Sequence, residues 1–302
     1  MRDLIVVGGG PAGLTAAIYA ARAGLSVAVA ERGFAGGQMT ATADIVNYPG
    51  FEMIDGAELA RRMEAHARGL GAEMLTGEVR ALRLDPGALT VVTGSEIPAR
   101  ALILAMGTQR RKLAIPGEER LTGRGVSFCA VCDGAFFKDQ DVAVVGGGDT
   151  ALEDAAYLAG VCRQVTLVHR RDAFRGGRRL EAALRRLPNV TFRLEHTAEE
   201  ILGDKSVQAL RVRGVKTRAE ETLPVSAVFV AVGVEPDTAL LRGALPLDAE
   251  GRVEAPEGGH TPIPGVFVAG DLRQKPIYQI ITACADGATA ATSVSRFLRE
   301  RE

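Results

Sequence analysis

The fold is decided near the start of the chain, by the stretch LIVVGGGPAG at residues 4–13. Four apolar residues bounded by glycines indicate a buried parallel strand. Small and apolar residues at helical spacing follow as far as Ala23, and Gly24 is placed to end the helix. A second apolar run, residues 26–30, ends at Glu31. A strand, a glycine-rich turn, a helix and a second strand, in this order, are typical of a dinucleotide-binding unit.

The turn fits the pattern G-x-G-x-x-G, in which each glycine has a physical task. The turn and the start of the helix contain Gly8, Gly10, Pro11, Ala12 and Gly13. The first glycine allows a tight turn, the second lets the backbone approach a pyrophosphate, and the third lets the helix pack closely on the strand. The free N–H groups of the helix then face the phosphates. Glu31 lies where an acid binds a ribose 2′-OH; the alternative is a surface acid at a strand end.

The same pattern recurs in the middle of the chain. Residues 142–145 form an apolar run, and residues 164–168 form another that ends at His169. The turn between them has the form G-x-G-x-x-A and consists of Gly146, Gly147, Gly148, Asp149, Thr150 and Ala151. The interval from its third glycine to His169 equals the interval from Gly10 to Glu31. The sequence therefore predicts two nucleotide-binding units.

A third glycine-bounded strand, residues 266–269, runs into Gly270 and Asp271 and precedes a predicted helix at residues 280–298. This strand has no partner in the second unit, so the simplest topology returns it to the first sheet. We therefore predict an α/β fold with two Rossmann-like dinucleotide-binding domains, the second inserted into a discontinuous first. The expected domains are residues 1–115 with 244–302, and residues 116–243.

The two sites differ at the end of their second strands. In place of an acid, the second site has His169, Arg170 and Arg171, with Arg175 shortly after. Cations at this place fit a 2′-phosphate, whereas Glu31 fits a bare 2′-OH. The sequence thus predicts FAD in the first domain and NADPH in the second. The alternative is a merely solvated basic face, which is the interpretation given to Arg178, Arg179, Arg185 and Arg186.

The composition excludes several other classes of function. The chain has 302 residues, 47% of them apolar and 24% charged, and a net charge of −1. It therefore has no excess of positive charge for a nucleic acid or an anionic membrane. No apolar stretch has the length of a membrane span, and the first one is too short for a signal peptide. We expect a cytoplasmic protein.

Two of the four cysteines form a C-x-x-C pair, Cys129 and Cys132, followed by Asp133. In a reducing compartment a close pair is more often catalytic or metal-binding than structural. The spacing allows a short disulfide across a helical turn, and Asp133 is a candidate general acid. Zinc needs further ligands and no second pair exists, so no metal site is predicted. Cys162 and Cys284 are expected to be buried packing residues.

Taken in order, these motifs resemble those of the low-molecular-weight (bacterial type) thioredoxin reductases, which are flavoprotein disulfide reductases. The resemblance covers nearly the whole chain and rests on residues 8–13, 36–38, 47–50, 129–134, 146–151, 169–175 and 265–271. It implies that electrons pass from NADPH through FAD to Cys129 and Cys132, and on to thioredoxin. It also implies a homodimer in which the NADPH domain swings relative to the FAD domain.

The resemblance implies roles for particular residues as well. Cys132 is similar to the thiol that reacts with the flavin, and Cys129 to the thiol that attacks the partner's disulfide. Asp271 resembles the acid that binds the ribityl chain, and Gln279 lies where the family contacts the flavin ring. Further cofactor contacts are assigned to Gly36, Gly37, Gln38, Asn47, Gly107 and Gly270.

Two departures from the family pattern leave the electron acceptor open. Met106 stands where the family usually has Thr, and Tyr278 stands where many members have Arg. One alternative is a reductase of the same build that acts on another disulfide acceptor. A second is an enzyme similar to ferredoxin–NADP reductases, which share both nucleotide sites but do not need the cysteine pair. A third is a flavin- or NADP-sensing binding module without turnover.

Overall fold

The chain forms two compact units in the computed structural model, which describes residues 1–42 and 45–301. Unit 1 is built from two segments, Met1–Gln109 and Glu235–Glu302, and unit 2 is the continuous segment Arg110–Val234. Among the described residues, no helix combines the length and the apolar character needed to cross a bilayer.

The helices and strands alternate along most of the chain. The strands in the described residues are β1 (Arg2–Val7), β2 (Val27–Glu31), β3 (Glu73–Thr76), β4 (Ala81–Arg83), β5 (Leu89–Val92), β6 (Glu96–Leu104), β7 (Thr108–Arg110), β8 (Val126–Ser127), β9 (Asp141–Gly146), β10 (Gln164–His169), β11 (Val190–Leu194), β12 (His196–Leu202), β13 (Ala209–Gly214), β14 (Glu220–Pro224), β15 (Ala227–Ala231), β16 (Val234–Pro236) and β17 (Val266–Val268). The α-helices there are α1 (Pro11–Arg22), α2 (Gly56–Gly69), α3 (Glu118–Leu121), α4 (Ala130–Asp133), α5 (Asp149–Ala159), α6 (Arg178–Leu184) and α7 (Ile280–Arg299).

The core of unit 1 is a parallel sheet in the order β3-β2-β1-β6, extended by β17 along the end of β6. Leu4 and Val6 of β1 face the cluster that α1 and α7 contribute to, whereas Ile5 and Val7 face a second cluster on the other side. Because side chains alternate along a strand, a strand covered on both faces must be apolar throughout. This burial on both faces explains why residues 4–7 are apolar without interruption.

Unit 2 repeats the arrangement with the sheet order β11-β10-β9-β15-β8, in which every strand pair is parallel. Helix α5 packs on one face, and a separate antiparallel sheet, β12-β13-β14, contributes to the cluster on the other. A short two-stranded sheet pairs β7 with β16. The prediction of an α/β fold with two such units is confirmed.

The fifth strand of each parallel sheet comes from a different part of the chain. In unit 1, Phe267 of β17 pairs with Ile103, and in unit 2, Ser127 of β8 pairs with Phe229. Each fifth strand is followed by one turn of helix, Gly270–Leu272 in unit 1 and α4 in unit 2. Asp271 and the cysteine pair thus follow equivalent strands, at the carboxyl edge where α/β sheets bind their ligands.

Candidate functional site

The cysteine pair forms a disulfide across helix α4 in unit 2. The Cα atoms of Cys129 and Cys132 lie 5.3 Å apart. The Sγ atom of Cys129 accepts the backbone N–H of Cys132 at 3.2 Å, which fixes the first turn of the helix. Cys132 is exposed and Cys129 is half-buried. The disulfide is thus held by a rigid local turn and is open to reagents on the Cys132 side.

Asp133 is held beside this disulfide by a buried serine at the end of β8. The hydroxyl of Ser127 donates to Oδ2 of Asp133 at 2.6 Å and accepts the backbone N–H of Cys129 at 3.0 Å. Ser127 is 4% exposed. The structure thus brings all three predicted catalytic residues together, with a fourth polar group joining the acid to the first cysteine.

The first glycine turn of unit 1 is shaped by backbone contacts. Gly8 has a φ of +106°, and a Cβ on it would lie 2.4 Å from the carbonyl oxygen of Ala105. A Cβ on Gly13 would lie 1.9 Å from the carbonyl oxygen of Gly8, so helix α1 begins in contact with the turn. A Cβ on Gly10, by contrast, would meet no atom within 4 Å. A phosphate group can therefore approach the backbone at Gly10 and the N-terminus of α1.

Glu31 and the loop after it close against this turn. The two carboxylate oxygens of Glu31 accept the backbone N–H groups of Gly9 and Gly33, at 2.8 and 3.0 Å. The N–H of Gly36 donates to the carbonyl oxygen of Gly9 at 2.7 Å, and Gly37 follows against the turn. The acid is thus fixed in orientation beside the turn, with lone pairs left for a further donor.

Two side-chain hydrogen bonds join residues assigned to the flavin by resemblance to parts of unit 1 that are far from them in sequence. The side-chain amide of Asn47 donates to Oε1 of Gln279 at 2.9 Å, and Gln279 lies directly before helix α7. The side chain of Gln38 donates to the carbonyl oxygen of Thr108 at 2.9 Å. Gly107, three residues beyond β6, has a φ of +64°. The two bonds bring segments far apart in sequence into contact.

A cluster of charged side chains, of which that of Lys275 is buried, supports the turn at Asp271. Asp286 of α7 accepts the N–H of Gly270 at 3.1 Å and pairs with Arg273 at 2.7 Å and with Lys275 at 3.3 Å. The ammonium of Lys275, whose side chain is 4% exposed, lies 3.2 Å from Oδ1 of Asp271. Oδ1 of Asp271 is itself buried and receives no well-oriented hydrogen bond in the described residues. This oxygen is available to a ligand hydroxyl.

Tyr278 has two cationic groups near its ring. The guanidinium of Arg252 lies 4.2 Å from the ring centroid, and the ammonium of Lys275 lies 5.7 Å from it. The hydroxyl of Tyr278 accepts the backbone N–H of Lys275 at 3.2 Å. A positive group is attracted to the face of an aromatic ring, so Arg252 places a positive charge beside the tyrosine.

The glycine turn of unit 2 repeats the geometry of the first. A Cβ on Gly146 would lie 2.2 Å from the carbonyl oxygen of Ala231 and 2.8 Å from the Cβ of Ala151, whereas the space around Gly148 is open. Asp149 begins α5 and accepts the N–H of Gly177 at 2.7 Å. Thr150 is exposed beside it. This turn also presents open backbone to a phosphate group.

Of the four basic residues predicted for this site, the three arginines are exposed and the histidine is buried. Arg170, Arg171 and Arg175 are exposed and take part in no ion pair among the described residues. The N–H of Arg175 donates to the carbonyl oxygen of Gly147 at 2.8 Å, so its backbone lies against the turn. Three unpaired guanidinium groups near one turn are a suitable site for a phosphate dianion.

His169 lies beneath the turn rather than on the surface. It is 6% exposed, and a Cβ on Gly147 would lie 2.2 Å from its ring. The ring stacks on Phe174 with centroids 5.3 Å apart. Burial lowers the pKa of His169, and the three neighbouring arginines lower it further. The imidazole is therefore neutral at neutral pH and supports the turn by packing.

With the two nucleotide turns and the disulfide in place, residues 2–287 match the family described as pyridine nucleotide-disulphide oxidoreductase. The chain belongs to this family. Among curated members of the family, the thioredoxin reductase of Mycolicibacterium smegmatis is 45% identical over 305 residues, covering 100% of this chain and 98% of the relative. A bifunctional thioredoxin reductase/thioredoxin of Mycobacterium leprae is 45% identical over 304 residues, covering 99% of this chain and 66% of the relative.

A solved structure of the family agrees with the fold of the whole chain. The crystal structure of Lactococcus lactis thioredoxin reductase superposes with a TM-score of 0.92 at 39% sequence identity. The match covers 99% of this chain and 100% of that one. Both parallel sheets and their order thus have a close counterpart in this family.

Sequence reasoning missed the residues that hold the two acids of the site. Ser127 gave no signal, because a lone serine at the end of a two-residue strand has no pattern around it. For Asp286 the sequence did contain a signal. An acidic residue stands there between Cys284 and Gly287, which are buried positions of α7. An acid at such a place is almost always paired. Cys284, like Cys162, is buried, as predicted.

Proposed function

We propose that this chain is an NADPH-dependent thioredoxin reductase that works through FAD and the Cys129–Cys132 pair. The observation that carries the proposal is the disulfide at the carboxyl edge of the unit 2 sheet, in a chain with two open nucleotide turns. The relatives named above carry the same activity in their names, and in one of them a reductase and a thioredoxin form a single chain. The alternative acceptors and the sensing module are not favoured.

We assign FAD to unit 1 and NADPH to unit 2, the cofactors of this family. The open backbone at Gly10 and the buried, unsatisfied Oδ1 of Asp271 fit a dinucleotide with a hydroxylated chain. The residues proposed to hold FAD are Gly8, Gly10, Pro11, Ala12, Gly13, Glu31, Gly36, Gly37, Gln38, Asn47, Gly107, Gly270, Asp271 and Gln279. Those proposed for NADPH are Gly146, Gly148, Asp149, Thr150, Ala151, Arg170, Arg171 and Arg175, with His169 beneath them.

The chain's own residues perform the disulfide exchange. When bound, FAD would supply the two-electron chemistry that links NADPH to the disulfide, and with two protons the disulfide of Cys129 and Cys132 would become a dithiol. The thiolate of Cys129 then attacks the thioredoxin disulfide, and a mixed disulfide forms as one thioredoxin sulfur leaves. The thiolate of Cys132 attacks Cys129, which restores the enzyme disulfide and releases the second thioredoxin sulfur. Asp133 holds and moves a proton beside the pair.

The cellular setting is part of the same proposal. A disulfide that must be reduced in every turnover works in a reducing compartment, and we therefore place the protein in the cytosol. Its partner is thioredoxin or a protein of the same redox class. We also propose a homodimer, as the family resemblance implies.

Replacing each active cysteine separately tests the function. In Cys129→Ser and Cys132→Ser we expect thioredoxin reduction to fall to the level without enzyme, because exchange needs both sulfurs. FAD should stay bound in both variants, since neither sulfur lies in unit 1. NADPH oxidation is followed with thioredoxin, with another disulfide protein and with ferredoxin as acceptors. The matched control is Cys162→Ser, which alters a buried cysteine outside the pair.

A colourless native protein after gentle purification would contradict the assignment of FAD. Normal thioredoxin reduction by either active-cysteine variant would contradict the mechanism. A faster rate with ferredoxin than with thioredoxin, retained when both cysteines are replaced, would favour the ferredoxin-linked alternative instead.

A further inference from the structure

The hydroxyl of Ser127 has more possible partners than it can serve at one time. It lies 2.6 Å from Oδ2 of Asp133, 3.2 Å from the carbonyl oxygen of Cys129 and 3.0 Å from the N–H of Cys129. A hydroxyl has one proton to donate and two lone pairs to accept with. The carboxylate and the carbonyl therefore compete for one proton, while the N–H of Cys129 keeps its acceptor in either case.

When Asp133 is ionised, the hydroxyl proton points to its carboxylate. The distance of 2.6 Å is in the range that hydrogen bonds to charged oxygens adopt. When Asp133 carries a proton, the carboxyl O–H donates to Ser127 instead, and the hydroxyl of Ser127 turns its own proton to the carbonyl of Cys129. Every donor has an acceptor in both states, which matters because Ser127 is buried.

We propose that Ser127 is a positioning residue that holds Asp133 against the Cys129–Cys132 turn in both protonation states of the acid. The proposal rests on the proposed function, in which Asp133 takes up a thiol proton and returns it. Ser127 keeps its own proton throughout and only rotates. It therefore lets the acid change its charge beside the redox pair without leaving a buried group unpaired and without moving the backbone of Cys129.

Among the described residues, the hydroxyl of Ser127 is the side-chain group that donates a hydrogen bond to the carboxylate of Asp133. No ion pair in the described part of the chain includes Asp133. Helix α5 packs against α4, and the ring of Tyr157 contacts Gly134. Lys138 and Asp139 follow on the same segment. The titratable residues of α5 are Asp149, Glu153, Asp154 and Tyr157.

Ser127→Ala and Ser127→Thr in the holoenzyme test the proposal. We expect Ser127→Ala to lower kcat for thioredoxin at least about tenfold, with the KM for thioredoxin within about twofold of native. Flavin reduction by NADPH, measured separately, should keep its native rate. Ser127→Thr keeps a hydroxyl and should restore kcat. Ser206→Ala, an exposed serine of the same unit, is the matched control.

The carboxyl carbon of Asp133 supplies a readout that does not depend on turnover. In protein labelled with ¹³C-aspartate, Asp133→Asn identifies its resonance. Because the Ser127 hydroxyl donates to this carboxylate at 2.6 Å, its loss in Ser127→Ala should shift the resonance. Ser127→Thr should return the resonance to its native position.

The outcomes separate the two proposals. A Ser127→Ala variant with native kcat and a native Asp133 carboxyl resonance would overturn the role of Ser127. So would a Ser127→Thr variant as defective as Ser127→Ala in both measurements. If the native protein reduces no thioredoxin, the proposed function fails, while the carboxyl resonance still decides whether Ser127 holds Asp133.

Discussion

In the proposed NADPH site, the guanidinium groups of Arg170, Arg171 and Arg175 are the groups that we expect to distinguish NADPH from NADH. All three are exposed near the glycine turn of unit 2, and in the described residues none is engaged in an ion pair. His169, which sequence reasoning placed with them, is neutral and buried under Gly147. The charge available to a 2′-phosphate is therefore that of the arginines.

Arg170→Ala and Arg171→Ala should each raise the KM for NADPH by about 10- to 100-fold, since a charge-assisted bond to phosphate contributes about 1.5–3 kcal/mol. The KM for NADH, which lacks this phosphate, should change by less than about twofold. Steady-state kinetics with both nucleotides is the measurement. Arg178→Ala, at an exposed arginine of α6, is the control, and equal use of both nucleotides by the native enzyme would refute the assignment.

At the scale of elements, the crossing of α1 and α7 ties the two segments of unit 1 together. A Cβ on Gly287 of α7 would lie 2.1 Å from the carbonyl oxygen of Ala12 and 3.0 Å from the backbone nitrogen of Ala16. Ala12 is at the start of α1, directly beside the first glycine turn. The absence of a side chain at Gly287 thus sets the distance between the helices at the nucleotide site.

Gly287→Ala should destabilise unit 1 by about 1–3 kcal/mol and weaken its hold on FAD, because backbone atoms cannot yield without shifting α1. Gly69→Ala is the matched control, since Gly69 ends helix α2 with open space around it. There the helix propensity of Ala should give a gain of up to about 1 kcal/mol. Urea unfolding and FAD release are measured, and similar responses at both glycines would argue against the close crossing.

Because the chain folds as two units, the binding of each cofactor can be followed in its own unit. A ligand that binds the folded form of one unit stabilises that unit by mass action. The free energy of local opening in the other unit need not change. Hydrogen exchange distinguishes the two cases because it reports stability region by region.

FAD added to the apoprotein should therefore slow amide exchange at residues 8–13 and 270–272 of unit 1. NADP⁺ should slow exchange at residues 146–151 and 169–177 of unit 2. Hydrogen–deuterium exchange with peptide resolution is the measurement, and apoprotein without ligand is the reference. Protection by each ligand in the opposite unit would reverse the proposed assignment of the cofactors.

The local features of this protein follow from its sequence alone. The glycine turns at residues 8–13 and 146–151, helix α5 over Asp149–Ala159 and the Cys129–Cys132 turn were all predictable. Each of these features is determined by residues close together in the sequence. Glycine is needed where backbone atoms approach closely, and a helix repeats its apolar pattern every three or four residues. The division into two α/β units followed from the same repeated pattern.

Only the tertiary structure decided which distant groups meet. The side-chain amide of Asn47 meets Oε1 of Gln279 although 232 residues separate them in the chain. Asp286 reaches Gly270 and Lys275 because α7 returns over α1. His169 points inward because Gly147 leaves room for its ring. Such contacts depend on packing between segments whose separation leaves no periodic trace, so no pattern in the sequence records them.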